Sequence, residues 1–500
     1  MSALPLPMTG PVPVPVPGPM PAPKPAGRPL CVDCDGTLIL TDLLHEAVFL
    51  LLHQAPWKIL LLPLWLLRGK AYMKERLADV VVFNWAAIPY RSETLALIAK
   101  ARAEGRPLVL VTASAQRMAD GIAQHLGLFD EVHGSRLGVN LGGQAKAGFL
   151  TDRFGHKGFD YVGDSPTDLP VWRASHTALV VDAGTSLSRR AGNVGAQLEV
   201  VPAERAGLRS YLRAIRIHQW LKNLLVFVPV VAGHRLGDQT AVLASVLAFM
   251  AFSFCASAVY VLNDLLDLPS DRAHVRKRNR PFASGRISIL NGVRLGAALM
   301  VLSIATAFML PPLFGAVLAG YFAITLAYSL RLKREIVVDV LVLAMLYTVR
   351  ILAGSAATAI LPSFWLLAFS MFVFLSLALI KRYSEMLVAL QQNKASAAGR
   401  GYTVSDLAVL MSLGASAGMT AVMILALYIN SPDVAAMYPS THWLWAVPPL
   451  LLYWVCRMWT KAHRGEVHDD PIVFAVKDWH SMAMLLLCAG AFFLAGSTRL

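Results

Sequence analysis

The spacing of apolar and polar positions changes character twice along this 500-residue chain. Residues 1–28 show no period. The prolines of PVPVPVPGPMPAPKPAG predict a disordered or polyproline tail, and the basic start and continuous apolar core of a signal peptide are missing. Residues 29–210 alternate short β-like runs (PLCVDCD, PLVLVTAS, FDYVGDS, ALVVDAG) with helical stretches, which predicts an α/β domain. One insert stands out there, the apolar segment Val48–Leu67. His53, Gln54, Pro56, Lys58 and Pro63 interrupt it, so it reads as part of a cap or a membrane-surface contact and not as a span. Residues 211–500 form the third region. Its apolar runs at 220–236, 241–262, 289–310, 312–330, 337–359, 363–380, 407–429, 441–460 and 479–498 predict nine transmembrane helices, each near the length that crosses about 30 Å of hydrocarbon.

Charge then orients the spans. Arg272, Arg276, Lys277, Arg278, Arg280, Arg286 and Arg294 lie between the second and third. Arg331, Lys333 and Arg334 follow the fourth, Lys381, Arg382, Lys394 and Arg400 the sixth, and Arg457, Lys461, Arg464 and Lys477 the eighth. The other side has little beyond Arg235 and Arg499. The positive-inside rule places the N-terminal domain in the cytoplasm and, with nine spans, the C-terminus outside a bacterial-type inner membrane. A net charge of +14 is explained by these loops, so no nucleic-acid partner is expected. Apolar residues at 56% and charged ones at 15% are too apolar for a soluble surface. The five cysteines (Cys31, Cys34, Cys255, Cys456, Cys488) are odd in number and predict no disulfide framework. Cys31-x-x-Cys34 lacks a second ligand pair for zinc.

The α/β domain carries four polar motifs in order. Asp33 and Asp35, two residues apart at a strand end, point to one side; one suits attack on phosphorus and the other the leaving-group proton. Gly36 lets backbone N–H groups approach phosphate oxygens. Thr112 ends a second apolar run in a hydroxyl, Lys146 offers a single cation, and Asp164 and Asp168 follow a last strand with carboxylates suited to Mg2+. This set resembles the haloacid dehalogenase-like (HAD) phosphatase superfamily. The resemblance implies Asp33 as nucleophile, Asp35 as general acid/base, Thr112 and Lys146 as phosphoryl holders, and Asp33, Asp164 and Asp168 around Mg2+.

In the membrane region, Asn263, Asp267 and Asp271 are spaced i, i+4, i+8 at the end of the second span, with Asp264 between them. Acids at a membrane boundary repel one another and call for cations, and oxygen-rich sets of this kind select Mg2+, which bridges phosphates. Arg280 in the following basic loop adds a donor for an anionic substrate. A second cluster runs through Tyr328, Arg331, Lys333 and Asp339, with Arg350 eleven residues on. Asp339 and Arg350 lie in apolar sequence and are expected to face a polar cavity, the alternative being a structural ion pair. Both clusters, with the nine-span layout, resemble the UbiA-type intramembrane prenyltransferase superfamily. A second DxxxD typical of that family is incomplete, because Leu343 stands four residues after Asp339. Segments around Lys222-Asn223, Asn263–His274, Pro281–Gly285, Val337–Gly354, Lys381-Arg382 and Arg464–Pro471 resemble one branch, the decaprenyl-phosphate phosphoribosyltransferases.

The fold expected is therefore an N-terminal α/β, Rossmannoid HAD-like domain with a cap insert, followed by an all-α polytopic UbiA-like membrane domain. The resemblance implies Mg2+ in both domains. It makes Asp267 and Asp339 catalytic acids, with Asn263, Asp264, Asp267, Asp271 and Asp339 around the metal. Lys222, Asn223, Asn263, Arg280, Tyr328, Lys333, Arg350, Lys381 and Arg382 would bind substrate. The reaction implied moves 5-phosphoribose from phosphoribosyl pyrophosphate (PRPP) to a polyprenyl phosphate. The HAD domain would then dephosphorylate the lipid-linked product, its apolar insert docked at the lipid surface. Two other readings stand beside it: prenyl transfer from a prenyl diphosphate to an aromatic or small acceptor with an independent phosphatase, and a transporter or scaffold with a degenerate phosphatase. Oligomeric state is left open.

Overall fold

The computed structural model describes residues 27–181, 184–194, 197–202, 206–274, 276–396, 400–467 and 470–497. The expected Pro-rich tail, apart from residues 27–28, and Arg499 lie outside the described residues. The chain divides into two compact units, Met1–Arg205 and Ala206–Leu500.

The first unit is built on a six-stranded parallel sheet of β1 (Leu30–Val32), β2 (Leu108–Ala115), β3 (Glu131–Ser135), β4 (Asp160–Gly163), β5 (Thr177–Val181) and β6 (Gln197–Val201), in the order β3-β2-β1-β4-β5-β6. The period of two sends successive side chains to opposite faces, and helices cover both. Val32, Leu110 and Val162 pack into a core on one side, and Cys31, Val109, Val111 and Tyr161 into a core on the other. Cys31 and Cys34 are buried free thiols. The strand order reverses about β1, so the chain leaves β1 and its neighbours in opposite directions and opens a crevice at their C-terminal ends.

The insert after β1 folds as a cap of short pieces. Helix Leu43–Gln54 is capped by Asp42, whose carboxylate accepts from the Leu44 and His45 amides. A 3-10 turn Pro56–Leu61 and helices Leu62–Leu67 and Lys70–Val80 follow. Pro56 and Pro63 sit in the first turns of their segments, where a missing N–H costs nothing but a longer helix cannot pass. Val48–Leu67 is thus broken into three, as a cap and not as a span.

Among the described residues, the second unit contains seven helices long and apolar enough to cross a membrane: Gln239–Leu266, Ile289–Ala307, Pro312–Leu330, Val338–Thr358, Phe364–Gln391, Val404–Ile429 and Trp479–Ser497. Nine were expected. Residues 220–236 instead form a 3-10 segment, Ile217–Phe227, and a short helix, Val228–Ala232, with Pro229 at its start. Residues 441–460 divide into a 3-10 turn, Thr441–Ala446, and the 17-residue helix Val447–His463. Hydropathy registers apolar length but not the change of helix type at such prolines. Gln239–Leu266 and Val338–Thr358 are the most buried of the seven, and both carry acids. Gly354 permits close packing, because a Cβ there would collide with the Val226 carbonyl of the 3-10 segment.

Candidate functional site

In the α/β unit the C-terminal ends of β1, β2 and β4 bring the four motifs together. Lys146 from helix Gly143–Phe154 places its ammonium 2.9 Å from Asp33 Oδ1 and 3.9 Å from Asp168 Oδ1. Tyr161 accepts from that ammonium at 2.9 Å and donates to Asp168 at 2.8 Å. Thr37 donates to Asp164 Oδ1 at 2.9 Å. Asp35 Oδ1 accepts from the Leu43 amide at 2.8 Å, and Oδ2 from Ser114 at 2.6 Å. Gly36 has φ of +74°, and any Cβ there would run into the Asp164 carboxylate. A cleft of about 440 Å³ opens over Asp33, Lys146 and Thr167.

Carboxyl oxygens of Asp33, Asp164 and Asp168 lie within 4.8 Å of one another. Burial, then Asp33 and Asp168, push Asp164 up to about 8; burial, then Asp33, push Asp168 to about 6. Burial, then Asp42, push Asp35 up to about 7. Buried acids that raise one another's pKa form a set that a divalent cation relieves, and all-oxygen donors suit Mg2+. Asp35 is held apart by its own donors, so its proton is available for acid–base work.

Thr112, expected to hold the phosphoryl group, lies beside Asp35 in the C-terminal half of β2. Its hydroxyl accepts from the Ser114 amide at 3.0 Å and stands 3.5 Å from Asp35, so Ser114 makes the shorter contact with that carboxylate. Ser114 is two residues beyond Thr112 on the same strand and shares its face, a signal present in the run PLVLVTAS. Tyr161 was likewise readable within the last motif. Arg91, which donates to the Gly36 carbonyl at 2.7 Å, had no sequence signal because it comes from beyond the cap.

In the helical unit, helix Gln239–Leu266 breaks at Asp267 and resumes as Leu268–Ala273. Backbone bonds nevertheless carry the helical path across, from Asp267 N to Asn263 O at 2.9 Å and from Asp271 N to Asp267 O at 2.8 Å. Asp264 is buried against Arg216 (2.5 Å) and Arg280 (3.1 Å), and Arg280 also reaches Asp271 Oδ2 at 2.6 Å. The Asp271 Oδ1 atom is buried with no hydrogen-bond partner among the described residues, the Lys277 ammonium standing 4.0 Å away. Asn263 and Asp267 are half-buried, and Lys333 lies within electrostatic reach of Asp267. An orphaned buried carboxylate oxygen beside half-open oxygen donors fits a divalent cation bound with substrate.

Asp339, expected as a catalytic acid and metal ligand, is paired with a cation of the neighbouring helix. Its carboxylate is fully buried and bound by the Arg382 guanidinium; Tyr328 donates to it at 2.8 Å, and Arg400 stands 3.6 Å away. Arg382 also pairs with Glu385. The structure thus places Asp339 in an ion-pair network between helices, the alternative weighed above, because a buried carboxylate is costly without a cation and Arg382 supplies one. Among the described residues, the acids of this unit do not form a cluster as tight as that of the α/β unit.

A third polar group gathers Lys222, Lys381 and Asp470. Asp470 accepts from Lys222 at 2.5 Å, lies 3.5 Å from Lys381, and accepts from Tyr347 at 3.2 Å. Arg350 donates to Asn223 at 2.8 Å, and its guanidinium sits over the rings of Phe252, Tyr321 and Tyr347. Asp470 was not among the expected site residues, although Asp before Pro471 is a helix-cap signal, and its carboxylate accepts from the Ile472 amide. Beyond the opposite ends of Gln239–Leu266 and Val338–Thr358, an apolar cavity of about 1030 Å³ is lined by Phe227, Leu236, Ile360, Trp365, Tyr438 and Phe492 among others.

Comparison with known proteins adds family membership. The UbiA prenyltransferase family model matches residues 224–496, and the haloacid dehalogenase-like hydrolase model matches residues 30–173. An uncharacterized protein, y4nM, of Sinorhizobium fredii is 40% identical over 93% of this chain and 91% of its own length. The nodulation protein NoeC of Azorhizobium caulinodans is 39% identical over 57% of this chain and 93% of its own. Decaprenyl-phosphate phosphoribosyltransferase of Mycobacterium tuberculosis is 37% identical over 41% of this chain and 70% of its own. With these matches following the two units of the structure, the chain belongs to the UbiA prenyltransferase family, as a multi-pass membrane protein with a HAD-like hydrolase domain at its N-terminus.

Proposed function

We propose that the helical domain transfers 5-phosphoribose from PRPP to a polyprenyl phosphate, releasing pyrophosphate, and that the HAD-like domain then removes the 5-phosphate. The observation that carries this reading is the engagement of Asp339 by Arg382 and Tyr328. Among the described residues the acids of Asn263–Asp271 then remain as an oxygen-rich end suited to a diphosphate–metal complex, with Asp267 half-buried and Asp271 Oδ1 without a donor, while Lys222, Lys381 and Arg350 offer cations for a second, separate phosphate. PRPP carries one diphosphate and one monophosphate. Similarity to a decaprenyl-phosphate phosphoribosyltransferase supports the same donor and acceptor. The apolar cavity suits a polyprenyl chain.

In this scheme Asn263, Asp264, Asp267 and Asp271 would hold Mg2+, and the chemistry it would supply is positive charge for a leaving pyrophosphate. Lys333, beside Asp267, steadies the same leaving group. The bond from ribose C1 to the pyrophosphate oxygen breaks, and a lipid phosphate oxygen forms the new bond to C1. In the HAD-like domain Asp33 attacks phosphorus, and Asp35 gives its proton to the departing ribose oxygen. Asp35 then takes a proton from the water that hydrolyses the aspartyl-phosphate. Asp164 and Asp168 would complete a Mg2+ set with Asp33, and Lys146 balances the phosphoryl charge. The N-terminal domain and the basic loops share the cytoplasmic side of an inner membrane in this reading.

The test supplies membranes containing the protein with ribose-labelled PRPP and polyprenyl phosphate. Label is expected in a lipid-linked ribose, and Asp267→Ala is expected to abolish it. Label from a prenyl diphosphate entering a small acceptor, with none from PRPP entering lipid, would replace this reading with prenyl transfer.

A further inference from the structure

The cap of the HAD-like domain has two unlike faces. Inward, Leu43, Ala47, Leu50, Leu51 and Leu77 join the domain core, with Ile59, Leu62 and Trp65 packed against it. Outward, large apolar side chains stand in solvent: Leu67 is 84% exposed, Leu60 76%, Trp57 66% and Leu64 57%. They crowd one 3-10 turn and one helix of six residues. The catalytic cleft does not use them.

Their rim is basic. From Ala47 through Met73 the chain contains no Asp or Glu, while Lys58, Arg68 and Lys70 are cations. The Lys58 ammonium lies 5.3 Å from the centre of the Trp57 ring, and Arg68 lies 5.4 Å from that of Tyr72. A water-facing surface mixes charges of both signs and avoids a leucine ridge. A leucine and tryptophan ridge between basic side chains is the composition of a segment that lies in the headgroup layer of an anionic membrane. Charge also decides against a second copy, because two such rims facing each other would repel.

We propose that Trp57–Leu67 with its basic rim is a docking surface for anionic lipid, and that it selects lipid-borne phosphomonoesters for the phosphatase cleft. The link to the cleft is short. The next helix, Lys70–Val80, sends the Lys74 ammonium to the Ala113 carbonyl at 2.6 Å, and Ala113 lines the cleft beside Asp33. A turn seated in the headgroups therefore holds the helix that touches the cleft mouth. The docking surface stands on its own geometry; the lipid-borne substrate rests on the function proposed above.

The full-length protein in nanodiscs of equal parts phosphatidylcholine and phosphatidylglycerol separates the two. With the photocrosslinker benzoylphenylalanine in place of Leu67, adducts to lipid are expected. Adducts to the chain's own helical domain or to a second copy, or none at all, would overturn the docking surface. For the substrate, the triple variant Leu60→Glu, Leu64→Glu, Leu67→Glu is compared on two probes: the lipid-linked phosphoribose accumulated by the Asp33→Asn protein, and soluble ribose 5-phosphate. Turnover of the lipid probe is expected to fall about tenfold with the soluble probe unchanged. Equal loss on both, or on neither, would overturn the selection. Should no lipid-linked phosphoribose form, the transferase reading fails while the crosslink still decides the surface.

Discussion

At the scale of single residues, partners decide roles. Asp33 and Asp35 stand two apart at one strand end, yet the first faces the Lys146 ammonium and the second is fixed by Ser114 and the Leu43 amide. Asp33→Asn removes the nucleophile but keeps the shape of the site. It is expected to lower phosphatase turnover by roughly a thousandfold or more, with phosphorylated lipid-linked ribose accumulating on thin-layer chromatography of labelled membranes. The Asp339–Arg382 pair calls for a different test, because both partners are fully buried. Arg382→Met leaves the buried Asp339 carboxylate with only Tyr328 and the more distant Arg400 and is expected to destabilise the helical domain by roughly 3 kcal/mol, read as a fall in thermal unfolding temperature in detergent. The acids and cations of both sites were legible one at a time from motif spacing. Their pairings were not: Asp339 with Arg382 joins positions 43 apart, and Lys222 with Asp470 positions 248 apart.

At the scale of elements, helix and strand geometry explains what the pattern read well and where it stopped. Four of the six strands (β1, β2, β4 and β5) were legible because strands buried on both faces read as short continuous apolar runs, whereas the partly exposed β3 and β6 were not. Two of nine expected spans changed character because Pro229 and the turn before Val447 divide them, a conformational event that mean hydropathy does not register. Close approach is set at this scale too. Gly354→Ala would force helix Val338–Thr358 away from the Val226 carbonyl, with an expected cost of about 1–3 kcal/mol and earlier thermal unfolding of the purified protein. Gly36→Ala meets both a positive φ and the Asp164 carboxylate. It is expected to cost about 1–3 kcal/mol locally and to weaken the phosphatase while leaving ribosyl transfer to lipid intact in a labelled-PRPP assay.

At the scale of the whole molecule, two units with separate cores place a HAD-like hydrolase domain and a UbiA-family domain on one chain. In the proposed scheme, joining them would raise the effective concentration of the first product at the second site. Chelation with EDTA is expected to stop both activities and added Mg2+ to restore them, measured as pyrophosphate release and phosphate release in the same membranes. What the sequence determined by itself was local: the class of each domain, the apolar lengths, the acids at strand and helix ends, and the apolar cap. Periodicity, turn residues and motif spacing are properties of neighbouring positions, so one chain displays them without folding. The tertiary structure alone decided which cation neutralises which acid, that Ser114 lies nearer Asp35 than Thr112 does, and that Asp470 gathers two lysines. Those outcomes depend on side chains from distant segments meeting in low dielectric, where a buried charge must find an opposite one and the folded chain determines which is within reach.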